Sequence, residues 1–273
     1  VSFDFGLPGD TYETPETLRR DLGDRLALGT RWYFYALFAT VVLRSRAVAQ
    51  RGLYDDAAWA RSSLESMRNL ERCGGRFHIR GMDFIEPGVA PVVFVSNHMS
   101  ILETFVFPGI IRPRIPVTFV VKDSLVRHPA FGPIMRSRNP VVVGRQSARE
   151  DLQTVLVKGT ERLGAGISMV IFPQSSRTRE FNPSQFNTLG VKLARRAGVK
   201  VLPVAVKTDM WGNGRVLKDV GPLRRHLPIH IEFGAPMAVV GNGAAQQDAI
   251  VDFITERLER WGGVVRSAEG AGA

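Results

Sequence analysis

Beyond residue 75 the chain alternates short β-branched runs with stretches of helical character, and this alternation constrains the fold more than any other feature. The runs are PVVFVS at 91–96, VTFVV at 117–121, PVVVG at 140–144, ISMVIF at 167–172 and VKVLPVAV at 199–206. Segments 100–110, 147–163 and 186–197 lie between them and read as helices. Such an order predicts an α/β fold, a mostly parallel sheet flanked by helices, because a strand rejoins a parallel neighbour only through a crossover. RFHIRGMDFI alternates and turns at Gly81, IHIEFG at 229–234 reads as a late strand, and AAQQDAIVDFITERLERW at 244–261 as a closing helix.

Residues 1–75 have a different character and read as an N-terminal helical, membrane-associating segment. In TPETLRRDLGDRLAL, Thr14 is a candidate N-cap with Pro15 at the first helical position, and DDAAWARSSLESMRNLERCGG ends at Gly74 and Gly75. WYFYALFATVVL at 32–43 is apolar almost all round and bounded by Arg31, Arg44 and Arg46. It is too short to span a bilayer, which takes roughly twenty residues. Two readings remain for it: a helix lying in one leaflet, or a buried core helix. The chain thus divides into a helical segment at 1–75, a main domain at 76–262 and a disordered tail at 263–273.

With 36 Lys and Arg against 26 Asp and Glu, the formal charge of +10 points to a phosphate-bearing partner: nucleic acid, an anionic membrane or a phosphorylated small molecule. The basic runs KLARRAGVK at 192–200 and LRRHLP at 223–228 carry no stacking aromatics, so no nucleic-acid partner is expected. Cys73 is the single cysteine, which excludes an intramolecular disulfide and a cysteine-rich zinc site. His78, His128, His226 and His230 match no common zinc spacing, and no metal is expected. Basic charge, a lone cysteine and a short apolar helix together suggest a peripheral or monotopic protein on the cytoplasmic face of a membrane.

The chemistry concentrates at FVSNHMSILETF, 94–105. His98 follows a strand whose carboxyl end is where open α/β sheets bind ligands. Glu103 completes Ser100-Ile101-Leu102-Glu103, a capping-box pattern, so it has a purely structural reading. It has a second one. With His98 in the loop and Glu103 in the first helical turn, the carboxylate can fold back, accept the ring N–H and stabilise the imidazolium of a general base.

NHxSxxE after an apolar strand resembles the first motif of the glycerolipid acyltransferases, with Glu103 where that family usually has aspartate. FVVKDSLVRHPAFGPIMRSRNPVVVGR at 119–145, FPQSSRTR at 172–179 and VLPVAV at 201–206 resemble the later motifs, in the family's order. The resemblance covers about residues 76–235. It implies transfer of a fatty acyl group from acyl-CoA or acyl carrier protein to a lysophospholipid, 1-acylglycerol-3-phosphate above all, at a phospholipid surface and without a cofactor. It assigns His98 and Glu103 to catalysis, Arg177 to the phosphate, and Lys122, Arg145, Gln174, Ser175 and Ser176 to the substrate site. Gln174 stands where the family has glutamate, which leaves other acceptors open: a lyso-aminolipid, a lyso-glycolipid or glycerol phosphate. A non-catalytic membrane or nucleic-acid binder is the rival class. No Gly-x-Ser-x-Gly elbow surrounds Ser175 or Ser176, so direct transfer is expected, with backbone amides near Ser100 meeting the oxyanion.

Overall fold

A computed structural model describes residues 5–174, 176–214 and 218–266. The chain opens with β1 (Tyr12–Glu13), α1 (Leu22–Leu26), α2 (Arg31–Gln50) and α3 (Asp56–Arg72). There follow β2 (Phe77–Arg80), β3 (Val92–Ser96), α4 (Leu102–Ile111), β4 (Val117–Lys122), α5 (Asp123–Arg127), α6 (Gly132–Ser137) and β5 (Val141–Val143). The remainder is α7 (Ala148–Gly164), β6 (Ser168–Ile171), β7 (Glu180–Phe181), α8 (Leu189–Ala197), β8 (Lys200–Lys207), β9 (Ile229–Phe233), α9 (Ala244–Arg260) and β10 (Val264–Val265).

Eight strands form one sheet in the order β1, β2, β9, β8, β3, β6, β4, β5. Five of them, β8, β3, β6, β4 and β5, run parallel to one another. Each is β-branched and apolar because helices cover both faces, and every residue of β3 is buried. This shared direction brings the residues that follow the strands to one edge: His98 after β3, Lys122 at the end of β4, Arg145 after β5, Arg177 after β6 and Thr208 after β8. β9 runs antiparallel to β8, and β1 antiparallel to β2. Gly81 ends β2 at φ 75°, where a Cβ would lie 2.0 Å from the Phe233 carbonyl oxygen, so the turn admits only glycine.

The N-terminal part departs from the sequence reading. Thr14 does not cap a helix. Its hydroxyl donates to Glu71 Oε1 at 2.5 Å and accepts from the Phe77 N–H at 2.9 Å, and Tyr12 pairs with Ile79 across the first two strands. The first helix starts only at Leu22. Residues 5–75 supply an edge strand and share one hydrophobic core with the rest through Phe34, Trp59, Leu64 and Met67.

α2 packs one face of its apolar run into the core. Phe34, Phe38, Val41 and Val42 are buried, while Trp32 and Leu43 face outward. Among the described residues no helix is long and apolar enough to cross a membrane. The tail assigned to disorder begins differently as well: Val264 and Val265 pair in parallel with Glu180 and Phe181, and residues 267–273 lie outside the described chain.

Candidate active site

His98 leaves β3 with its backbone held on two sides. Its N–H donates to Gln174 Oε1 at 2.6 Å, and its carbonyl accepts from the Thr178 N–H at 3.0 Å. The preceding Asn97 is clamped to β8, its amide donating to the Val206 carbonyl and its oxygen accepting the Val206 N–H, both at 2.8 Å. The imidazole lies against Phe172, ring centroids 4.2 Å apart at 22°. With that face covered, rotation about the ring is limited to an arc set by one bond: Nδ1 sits 2.8 Å from Glu103 Oε1.

Glu103 is fully buried and surrounded by donors. Oε1 accepts the N–H groups of Met99 at 2.7 Å and Ser100 at 3.0 Å as well as the His98 ring. Oε2 accepts the Thr208 hydroxyl at 2.7 Å and lies 3.0 Å from Ser100 Oγ. Burial pushes this carboxyl up, but the His98 bond and charge, then Thr208 and the Ser100 amide, outweigh it and hold it below the ordinary glutamate value. The group is an anion inside the protein. It fixes the Nδ1–H tautomer and leaves Nε2 with its lone pair.

Capping and orienting thus coexist in one side chain, since the Ser100 hydroxyl also accepts the Leu102 N–H at 3.1 Å. A consequence narrows the expected oxyanion site. The N–H groups of His98, Met99, Ser100 and Leu102 are engaged within the chain, which removes these four from the candidate oxyanion donors.

The cationic residues gather as the resemblance implies. The Lys122 ammonium is lowered from its usual value, chiefly by partial burial and then by Arg145, Arg177 and Lys218, with Asp219 opposing. Four cations therefore lie within electrostatic reach of one point. Arg177 is tied to Asp219 at 2.7 Å. Arg145 takes φ 61°, and Asp151 in the first turn of α7 holds that loop by accepting the Gly144 and Arg145 N–H groups at 3.0 and 2.9 Å.

Gln174 is placed otherwise than expected. Its oxygen takes the His98 N–H and its NH2 donates to Thr178 Oγ1 at 2.9 Å, so it braces the turn at His98. Ser176 lines a polar cavity beside it, and Ser175 lies outside the described residues. Sequence reasoning missed Thr208, Lys218, Asp219 and Asn213, whose amide donates to the Met99 carbonyl at 3.1 Å. Their segment follows VLPVAV directly, and the order of strands β8 and β3, which chain spacing does not carry, brings it here. Of the other histidines, His128 accepts the Ala130 N–H at 3.2 Å, and His78, His230 and Trp261 form a stack on the sheet.

A family model described as Acyltransferase matches residues 76–207. A 1-acyl-sn-glycerol-3-phosphate acyltransferase of Pseudomonas aeruginosa is 28% identical over 234 residues, 85% of this chain and 82% of that one. A protein of the same name from Chlamydomonas reinhardtii is 27% identical over 175 residues, 62% of this chain and 50% of its own length. The crystal structure of the 1-acyl-sn-glycerophosphate acyltransferase of Thermotoga maritima shares the fold, with a TM-score of 0.61 at 17% identity over 86% of this chain and 95% of that one. The match to the Acyltransferase model over residues 76–207, relatives of one named activity and a parallel sheet that delivers the motif residues to a common edge together make this chain similar to the glycerolipid acyltransferases.

Proposed function

We propose that this protein moves a fatty acyl group from a thioester carrier, acyl-CoA or acyl carrier protein, to the free hydroxyl of 1-acylglycerol-3-phosphate. One observation carries the reading: an imidazole bonded through Nδ1 to a buried, ionised Glu103 at 2.8 Å, with Nε2 available, beside a cluster of four cations. Nε2 takes the acceptor's hydroxyl proton as that oxygen attacks the thioester carbonyl. The tetrahedral adduct collapses by breaking the C–S bond, and the imidazolium returns its proton to the departing thiolate. Glu103 stabilises the imidazolium between these steps. No cofactor takes part, the carrier being a co-substrate.

Lys122, Arg145, Arg177 and Lys218 gather with Asp219 opposing, which suits a dianionic phosphomonoester better than a zwitterionic or uncharged headgroup. The names of the relatives support the same acceptor. Gln174, which faces inward, gives no support to an aminolipid or glycolipid acceptor. Leu22, Leu26, Leu28 and Trp32, 74%, 83%, 90% and 60% exposed, would rest on the cytoplasmic face of a membrane, where the net charge of +10 meets anionic lipid.

The test is turnover of purified protein with acyl-CoA or acyl carrier protein against a panel of lysolipids. His98→Ala lowers the rate at least about a hundredfold if the imidazole is the base. Retained activity in that variant would reject the mechanism, and preference for a lysolipid without a phosphomonoester would reject the acceptor.

A further inference from the structure

The loop after β6 serves two sides. Arg177 turns to Asp219 and the cation cluster, whereas Gln174, Ser176 and Arg179 line a separate polar cavity of about 490 Å³. Asn182, Gln185 and Arg266 line it too. Arg266 is brought from the far end of the chain by the parallel pairing of β10 with β7, and its N–H donates to the Phe181 carbonyl at 2.8 Å.

Among the described residues the cavity presents several donors without partners. Asn182 commits its side-chain oxygen to the Ser184 N–H and hydroxyl, at 3.1 and 2.8 Å, which leaves its NH2 for a ligand. The Ser176 hydroxyl and the Gln185 amide are likewise uncommitted. Arg179 has Asp209 at 3.6 Å, a carboxylate that already pairs with Lys207 at 3.0 Å. Arg266 meets Glu180 through Nε at 2.7 Å, leaving its terminal nitrogens.

Direct transfer requires two substrates beside one histidine at once, so two polar anchorages are needed. The cation cluster is the first. The cavity lies one hydrogen bond from the backbone of the same histidine, because Gln174, part of its wall, accepts the His98 N–H. The donor's polar part is a pantetheine arm whether the carrier is CoA or a protein: two secondary amides and a hydroxyl, ending in a phosphate ester. Amide carbonyls require donors and a phosphate requires cations; the lining supplies both, its one carboxylate among the described residues, Glu180, being held by Arg266 Nε.

On the acyl-transfer reading above, we propose that this cavity receives the phosphopantetheine arm of the acyl donor, with Arg179 and Arg266 at its phosphate and Asn182 and Gln185 at its amides.

The experiment measures donor and acceptor KM for the full chain and for an Arg179→Ala, Arg266→Ala double variant, with acyl-CoA and with acyl carrier protein. Binding of CoA and of holo and apo carrier protein is titrated in parallel. Loss of two charge-assisted contacts raises the KM of the donor in use, and weakens binding of its carrier, by about tenfold or more while the acceptor KM stays within about twofold. Asn182→Asp, which keeps the oxygen bonded to Ser184 and removes the amide donor, has the same sign. The carrier whose values move identifies the source of the arm. A double variant that keeps its donor KM and carrier binding, or in which the acceptor KM rises instead, overturns the cavity's role while leaving acyl transfer intact. A wild-type chain that transfers no acyl group from either donor overturns the proposed reaction, and one that also binds neither carrier overturns the cavity assignment.

Discussion

The Thr208 hydroxyl donates to Glu103 Oε2 at 2.7 Å across 105 residues of sequence, joining the end of β8 to the turn that follows β3. This bond is one of the forces that keep a fully buried carboxylate ionised. Glu103 has a folded-state value below the unfolded one, so its contribution to stability is present above the unfolded carboxylate range and is lost as pH falls through the lowered folded value. Thr208→Val removes a donor to the charged form and raises that value. The acid limb of kcat/KM moves to higher pH, and kcat at neutral pH falls about threefold to tenfold. Thr208→Ser restores both. An unshifted acid limb in the valine variant would show that Thr208 acts only in packing.

Gln174→Glu tests whether that position reads the headgroup or braces the turn. The Thr178 hydroxyl donates to the Glu180 carbonyl at 2.7 Å, so its oxygen needs a donor, which the Gln174 amide supplies. Glutamate has none to offer. Thr178 must then abandon Glu180 or face a carboxylate lone pair, at a cost of about 1 kcal/mol and about 2–4 °C in Tm. Calorimetry together with the lysolipid panel separates the readings: a lowered Tm with unchanged headgroup preference is expected, and a switch of preferred acceptor at constant Tm would restore the headgroup role.

The sheet and the pairing of His98 with Glu103 were legible in the sequence because their signals are local. β3, β4, β6 and β8 are apolar runs bounded by polar turns, and His98 with Glu103 lies within one strand-to-helix junction. β1, β7 and β10 are two residues each, too short for any periodicity to register. Thr14 and Pro15 imitate a helix start because the features that cap a helix, a free hydroxyl and a fixed φ, serve an edge strand equally well. Thr208, Asn213, Lys218 and Asp219 reach the site through strand order and loop path, which depend on tertiary packing.

Lys218 and Asp219 set the balance of charge in the cation cluster that the proposed function assigns to the acceptor's phosphate. Lys218→Ala removes one of four cations and raises the acceptor KM about threefold to tenfold, with a weaker dependence on salt. Asp219→Asn acts in the opposite sense, since the acceptor no longer competes with a carboxylate for Arg177, and KM falls by about twofold to fivefold. Steady-state kinetics at two ionic strengths tests both. A raised KM in the asparagine variant would mean that Asp219 aligns Arg177 for the phosphate and does not compete with it.

The outward apolar residues near the N-terminus give a last prediction. Leu22 and Leu26 are four apart on α1 and so share a face, Leu28 follows in the turn, and Trp32 opens α2, with Arg25 and Arg31 interspersed. α1 is not loose: Asp24, fully buried, is paired with Arg20 and with Arg225, the latter at 3.0 Å, so the leucines are displayed on an anchored element. α2 carries the other side of the connection, since Tyr35 accepts the Trp211 indole N–H at 2.9 Å and donates to the Gly221 carbonyl at 2.9 Å, on the segment that bears Asp219. Burying a leucine side chain in an acyl layer is worth about 1.5–3 kcal/mol at full transfer, and a partial insertion less. Leu26→Ser combined with Trp32→Ser therefore weakens binding to anionic vesicles by about tenfold or more and slows turnover of vesicle-borne lysolipid in proportion, whereas a short-chain lysolipid in free solution is consumed at an undiminished rate. Co-sedimentation with anionic and with zwitterionic vesicles measures the first effect and separates insertion from charge, because the charge contribution fades at high salt. Unchanged binding of the double variant would place the membrane contact elsewhere, and an equal loss on the soluble substrate would show that the substitutions disturb the Tyr35 connection to the active site.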